Sequence, residues 1–124
     1  MASPEQLNIS ETEIINKVKA AGLSPGYFKR GAEKSARDLL GRILLTETAG
    51  EVTGGIIVET EAYGGFDDPG SHAFGGITPR NSVMLLPSGT VYVYLCYGSS
   101  EMLNIVTGPE GRPEAVLIRA LEPL

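Results

Sequence analysis

At 124 residues, 42% of them hydrophobic, the chain has the size of one domain and enough apolar side chains for a modest core, domains usually running to about 100–150 residues. Its net charge of −5 gives it no non-specific attraction to phosphate, so composition alone argues against nucleic-acid binding. One cysteine, Cys96, and one histidine, His72, exclude an internal disulfide and the ligand clusters of a zinc site, and no apolar run approaches the roughly 20 residues of a membrane-spanning helix.

In chain order, Met1 to Gln6 lacks the basic and apolar stretches of a signal peptide, which leads to the expectation of an intracellular, soluble protein. Ser10 with Glu13 fits a capping box, and Ile14, Ile15, Val18 and Ala21 continue at helical spacing as far as Gly22. Ser24-Pro25-Gly26 predicts a turn, and Ala32 to Leu40 a second helix closed by Gly41, with Leu39 and Leu40 facing inward. Arg42 to Glu47 and Val52 to Ala62 read as strands joined by the Ala49-Gly50 turn, a hairpin. Gly64 to Pro87 is irregular, and so long a loop in a small domain is usually functional or disordered. Thr90 to Gly98, Leu103 to Thr107 and Ala115 to Ala120 complete the strands, the last two separated by the turn Gly108-Pro109-Glu110-Gly111. With 16 glycines and eight prolines, the body should be a turn-rich α+β or mainly β fold. Charge is divided unevenly: residues 1 to 42 carry seven basic against five acidic side chains, and residues 43 to 124 three against ten.

The segment Ile56-Ile57-Val58-Glu59-Thr60-Glu61-Ala62-Tyr63 drives an apolar run into two carboxylates and an aromatic. Side chains two apart share a strand face, so Glu59, Glu61 and Tyr63 should line one side together. Carboxylates emerging from a β-branched run sit on a wet sheet face or at the mouth of a site, and taken alone the segment favours the wet face.

Other spaced residues accompany it. His72 follows Tyr63 by nine positions, and after it come Thr-Pro-Arg-Asn at 78 to 81, Tyr-Val-Tyr at 92 to 94, Tyr-Gly at 97 and 98, Leu-Asn at 103 and 104, and Arg-Ala-Leu-Glu-Pro at 119 to 123. From about Tyr27 to Leu124 this set closely resembles the 3-methyladenine DNA glycosylases of the alkyladenine (methylpurine) type. The resemblance implies a single α+β domain, with a curved, mainly antiparallel sheet and N-terminal helices, spanning residues 1–124 as the N-terminal and central part of the family's domain. It implies hydrolysis of the N-glycosidic bond of alkylated purines in double-stranded DNA by a monomer, without metal or cofactor, in the cytoplasm of a bacterium or the nucleus of a eukaryote.

Family roles carry over by position. Glu61 would be the general base for the attacking water, and Arg119 would hold that water and nearby phosphate. Tyr63 and Tyr94, with His72 on another wall, would sandwich the flipped base, and Asn104 would crowd the exocyclic amine of undamaged guanine. Tyr97 would be the wedge inserted into the duplex from the minor groove, whereas Tyr92 reads as ordinary packing. The matched motifs hold no lysine, so Schiff-base lyase chemistry is not expected.

The sequence departs from the family pattern at Ser99 to Met102, where large side chains are usual, and at Leu85, where Phe is usual. It also ends at Leu124, where family members continue, so the family's C-terminal segment is expected to be absent and the chain alone to turn over little. Two other functions fit the residues: an inactive relative that binds nucleic acid or protein through the Tyr97 loop, and a small-glycoside or nucleoside hydrolase using Glu59 and Glu61 about 7 Å apart.

Overall fold

The structure, a computed structural model, describes residues 10–20, 22–79, 81–96 and 100–123. Helix α1 spans Glu11–Ala20 and begins at the expected cap, where the Glu13 N–H donates to Ser10 Oγ at 3.2 Å. A 3-10 turn, Pro25–Arg30, leads into helix α2, Ala32–Leu39, which buries Ala32, Ser35, Ala36 and Leu39 at helical spacing. The first turn of α2 is satisfied from far away in sequence: the Ala32 N–H donates to Glu114 Oε1 at 3.2 Å, placing a carboxylate where the helix dipole favours one. Leu40 does not continue the helix inward as expected. It takes an extended backbone (ψ 130°), turns outward and is 47% exposed.

Strand β1 (Ile43–Thr48) and strand β2 (Glu51–Tyr63) form the predicted hairpin, Thr48 facing Glu51 across the two-residue turn. Strands β3 (Val91–Cys96), β4 (Ser100–Thr107) and β5 (Glu114–Pro123) follow, and the five make one antiparallel sheet in the order β1-β2-β5-β4-β3. Both β4 and β5 outrun their sequence-predicted bounds because partners impose the strand. Ser100 to Met102 pair with Tyr94 to Cys96, and Leu121 to Pro123 run along Gly55 to Ile57. Gly55 permits that approach, since a β-carbon there would press on the Glu122 carbonyl.

Each face of the sheet has its own core. On one, α2 packs Ala36 and Leu39 against Ile57, Ile105, Val116 and Ile118, with Phe28, Leu44 and Leu103 at its border; each buried Leu, Ile or Val of this set contributes roughly 1.5–3 kcal/mol. On the other, the segment from Gly64 to Thr90 lays Ala73 and Met84 over Ala115, with Val83 and Tyr92 beside them. This segment is ordered through turns and a 3-10 turn at Ser82–Leu85, rather than through long regular elements. Among the described residues no helix is long and apolar enough to cross a membrane.

Candidate active site

The register of β2 on β5 breaks at one place. Ile57 pairs with Leu121, Glu59 with Ala120 and Thr60 with Ile118, so Val58 and Arg119 are each skipped. The paired bulge changes the phase of the strand. Ile57 and Thr60, three apart, both address α2, Ile57 through the core and Thr60 through a 2.8 Å hydrogen bond from its hydroxyl to the Ala36 carbonyl. Glu61 and Tyr63 therefore face the opposite side, under the Gly64 to Thr90 segment. On that face Glu61, Leu117, Asn104 and Tyr92 are successive cross-strand partners.

Glu61 is held at both oxygens. The Tyr63 hydroxyl donates to Oε1 at 2.6 Å, and Arg119 Nε stands 3.5 Å from Oε2. The carboxylate side chain remains 41% exposed, so water reaches it and the ion pair adds little to stability. Burial first, and then the bond to Glu61, push the Tyr63 phenol up to about 12, which keeps it a proton donor at neutral pH. Glu59 lies inside the bulge and is exposed. Of the acids in this strand, the structure pairs Arg119 with Glu61.

The aromatic rings form a series. Tyr63 and His72 are nearly parallel, 15° apart, with centroids separated by 6.4 Å. His72 is stacked directly on Tyr94 at 3.7 Å and 24°. The ring facing Tyr63 across the gap is thus His72, and Tyr94 joins the series through the imidazole. Tyr92 sits against the Ala73–Met84 core as ordinary packing, and burial lifts its phenol to about 12.

Two side chains to which the sequence assigned no role hold the loop side of this arrangement. Asn81 is buried; its amide nitrogen donates to the His72 carbonyl at 2.8 Å and to the Gly76 carbonyl at 3.1 Å, and its Oδ1 accepts from the Thr78 N–H at 2.6 Å. Asp68 accepts from the Gly64 and Gly70 N–H groups at 2.8 and 2.9 Å, bonds that keep its carboxyl below the usual carboxylate range. Leu117, buried between Glu61 and Asn104, floors the face. Asn81 was visible in the Thr-Pro-Arg-Asn motif, whereas Leu117 had no signal beyond a strand pattern. Asn104 is buried and its amide nitrogen donates to the Met102 carbonyl at 2.9 Å. Tyr97, the expected wedge, lies outside the described residues, as do Arg80, Gly98 and Ser99.

A separate concavity of about 820 Å³ opens on the helix side, lined by apolar residues including Val18, Leu23, Phe28 and Leu44. It contains none of the expected site residues; Lys17, Arg42, Thr46 and Glu47 are the polar side chains of its lining. Among the described residues no group of three or more His, Cys, Asp or Glu is placed to hold a metal.

A carboxylate bonded by a tyrosine and paired with an arginine thus stands beside a series of nearly parallel aromatic rings. Residues 26–124 match the methylpurine-DNA glycosylase (MPG) family, and the chain belongs to that family. It is 51% identical over 102 residues to a protein of Anaeromyxobacter dehalogenans, covering 82% of this chain and 49% of that one. It is 46% identical over 99 residues to a protein of Clostridium acetobutylicum (79% and 48% covered), and 53% identical over 89 residues to one of Chlamydia pneumoniae (71% and 45% covered). All three are provisionally named 3-methyladenine DNA glycosylases. The chain spans about half the length of these relatives.

Proposed function

We propose that the chain carries the base pocket and catalytic carboxylate of a monofunctional DNA glycosylase that excises alkylated purines such as 3-methyladenine. The observation that carries this reading is the pair of parallel rings, Tyr63 and His72, with centroids 6.4 Å apart next to a carboxylate bonded to the same tyrosine. Bases stack about 3.4 Å apart, so a ring between two others needs about 6.8 Å. The rings would have to part to admit a purine between them, and a base made cationic by alkylation is drawn to the electron-rich ring faces.

The target bond is buried in the duplex, so the nucleotide must be extruded, at a few kcal/mol and most easily at a damaged pair. Tyr97 is the residue assigned to fill the vacated space. Glu61 takes a proton from water as the water oxygen bonds to the sugar C1′; the C1′–N bond breaks and its electron pair leaves with the base. A cationic alkylated base departs neutral, so no acid is needed at the leaving group. The Glu61 charge also stabilises the positive charge developing on the sugar. Tyr63 and Arg119 aim the carboxylate, and Asn104 is assigned to exclude undamaged guanine.

The test is release of free base from methylated duplex DNA, with a methylated nucleoside in parallel, by the chain alone and by the chain extended with the second half of a relative. Base release from duplex but not from the nucleoside, abolished in Glu61→Gln with lesion binding kept within about tenfold, supports the reading. Lesion binding without release in either form favours the binding-module alternative. Turnover of the free nucleoside that depends on Glu59 favours the small-substrate hydrolase.

A further inference from the structure

We infer that Thr60, lying between the two acids, is the positioning residue that sets Glu61 against Arg119. The inference rests on the glycosylase reading only for the chemistry that Glu61 performs; the geometry stands by itself. At the end of α2 the Leu40 N–H, which a continuing helix would give to the Ala36 carbonyl, turns instead to Arg37 O at 3.3 Å. The Ala36 carbonyl is therefore one of the acceptors that a helix leaves over at its C-terminus. The Thr60 hydroxyl fills it at 2.8 Å.

A second tether lies three residues earlier. Gly41 N–H donates to the Ile57 carbonyl at 2.8 Å, and Ile57 N–H donates to the Arg42 carbonyl at 2.8 Å. Ile57 is thus bound by its backbone to the Gly41-Arg42 turn that follows α2 and packs its side chain against the helix, Thr60 is bound to α2 by its hydroxyl, and the bulge lies between them. Two side chains three residues apart that both address α2 are incompatible with a strict two-residue period, so the ladder must carry an extra residue there on each strand. The extra residue on β5 opposite is Arg119, whose Nε stands 3.5 Å from Glu61. Without the Thr60 hydroxyl only Ile57 still holds to this side, and the strand can relax toward an even ladder, which leaves Glu61 opposite Leu117 but sets Arg119 directly across from Glu59, a second carboxylate that draws the guanidinium from Glu61.

Thr60→Val removes the hydroxyl at nearly constant shape, and Thr60→Ser restores it. Two measurements on the 124-residue protein and its relative-extended form read the result. The first needs no substrate: the Arg119 Nε–H cross-peak in an NMR spectrum, assigned by its change in Glu61→Gln. Thr60→Val should move this peak toward its Glu61→Gln position, and Thr60→Ser should leave it at the wild-type position. The second is base release, where Thr60→Val should lower kcat by about tenfold to a hundredfold with KM within about twofold, as expected for a displaced catalytic group, and Thr60→Ser should recover it. If Thr60→Val does not fold, Thr60→Ala carries the same comparison. A folded variant without the hydroxyl that keeps both the wild-type cross-peak and the wild-type kcat overturns the inference. A moved cross-peak in a protein that releases no base in any form supports the positioning role and overturns the glycosylase reading, so the two failures are distinct.

Discussion

Replacing Tyr63 by Phe separates the two jobs assigned to this residue, because it deletes one hydroxyl and keeps the ring. The hydroxyl bond to Glu61 is short, 2.6 Å, and its acceptor is charged. Bonds of this kind contribute about 1.5–3 kcal/mol. With the Glu61 side chain 41% exposed, water replaces part of what is lost, so the effect belongs at the low end of that range. At about 1.4 kcal/mol per decade, kcat for base release should fall by about tenfold, and lesion affinity should stay within about twofold because the stacking face is intact. Tyr63→Leu removes the ring as well and should also weaken binding, stacking being worth roughly 1–3 kcal/mol per base. The assay is single-turnover base release from methylated duplex DNA, with affinity measured in a Glu61→Gln background. Wild-type kcat in Tyr63→Phe would refute the role of the hydroxyl, and binding as weak as that of Tyr63→Leu would refute the role of the ring.

Tyr63 and Tyr92 both have phenols raised from 10.0 to about 12 in the folded protein, so their contribution to stability is complete below about pH 10 and is lost as pH rises towards about 12. Thermal unfolding followed across that window should show the loss, and the double Phe variant should flatten it; an unchanged slope would contradict the burial of both hydroxyls. In the β1–β2 turn Ala49 has φ 52° beside Gly50 at 83°, a left-handed pair that Asn tolerates better than Ala, so Ala49→Asn should stabilise by up to about 1 kcal/mol in urea unfolding, and a destabilised variant would exclude this turn type. On edge strand β3, Val91, Val93 and Leu95 are 58%, 59% and 50% exposed, an apolar stripe that further polypeptide should cover. Extending the chain with the second half of a relative should lower binding of a hydrophobic dye, sharpen unfolding and raise base release, whereas equal turnover and a sharp transition in the chain alone would show that this half suffices.

What the sequence made legible was local. The Ser10 cap, the Ala49-Gly50 hairpin and, of the face expected for Glu59, Glu61 and Tyr63, the Glu61–Tyr63 part each follow from residues within a few positions of one another, where turn chemistry and strand period act directly, whereas Glu59 falls in the bulge. The features that failed to show depend on partners distant in the chain. Leu40 reads as one more inward helical residue until the carbonyls of the last turn are claimed by other donors. Nothing near Ala32 announces that Glu114, 82 residues later, satisfies its N–H. The bulge has no signature in Ile57-Val58-Glu59-Thr60, since it arises from tethers to α2 and from the strand opposite. Arg119 could be assigned to the site by family resemblance, but an even ladder would set it opposite Glu59, and its pairing with Glu61 is seen only in the structure. The segment after Tyr63 looked unstructured because its order comes from side chains, Asp68 and Asn81, bonding to backbone rather than from any periodic pattern.

The distribution of charge bears on how such a site would hold DNA. Among the described residues, Lys17, Lys29, Arg30, Lys34, Arg37 and Arg42 belong to α1, the first 3-10 turn, α2 and the approach to β1, on the side of the sheet away from Glu61. Arg30 and Arg37 are paired with Asp38 and Glu33, and Arg112 with Glu114. Arg119 is the described cation that stands at the carboxylate, and in the proposed reaction it offsets repulsion between Glu61 and the phosphates. Capture by long-range attraction is therefore a poor account of binding by this half of the fold. Stacking in the Tyr63–His72 slot requires no net positive charge, and it favours the cationic base over its undamaged counterpart. On the proposed reading, a carboxylate that has to remain near DNA phosphates to activate water makes the aromatic rings, rather than the surface charge, the element on which recognition would depend.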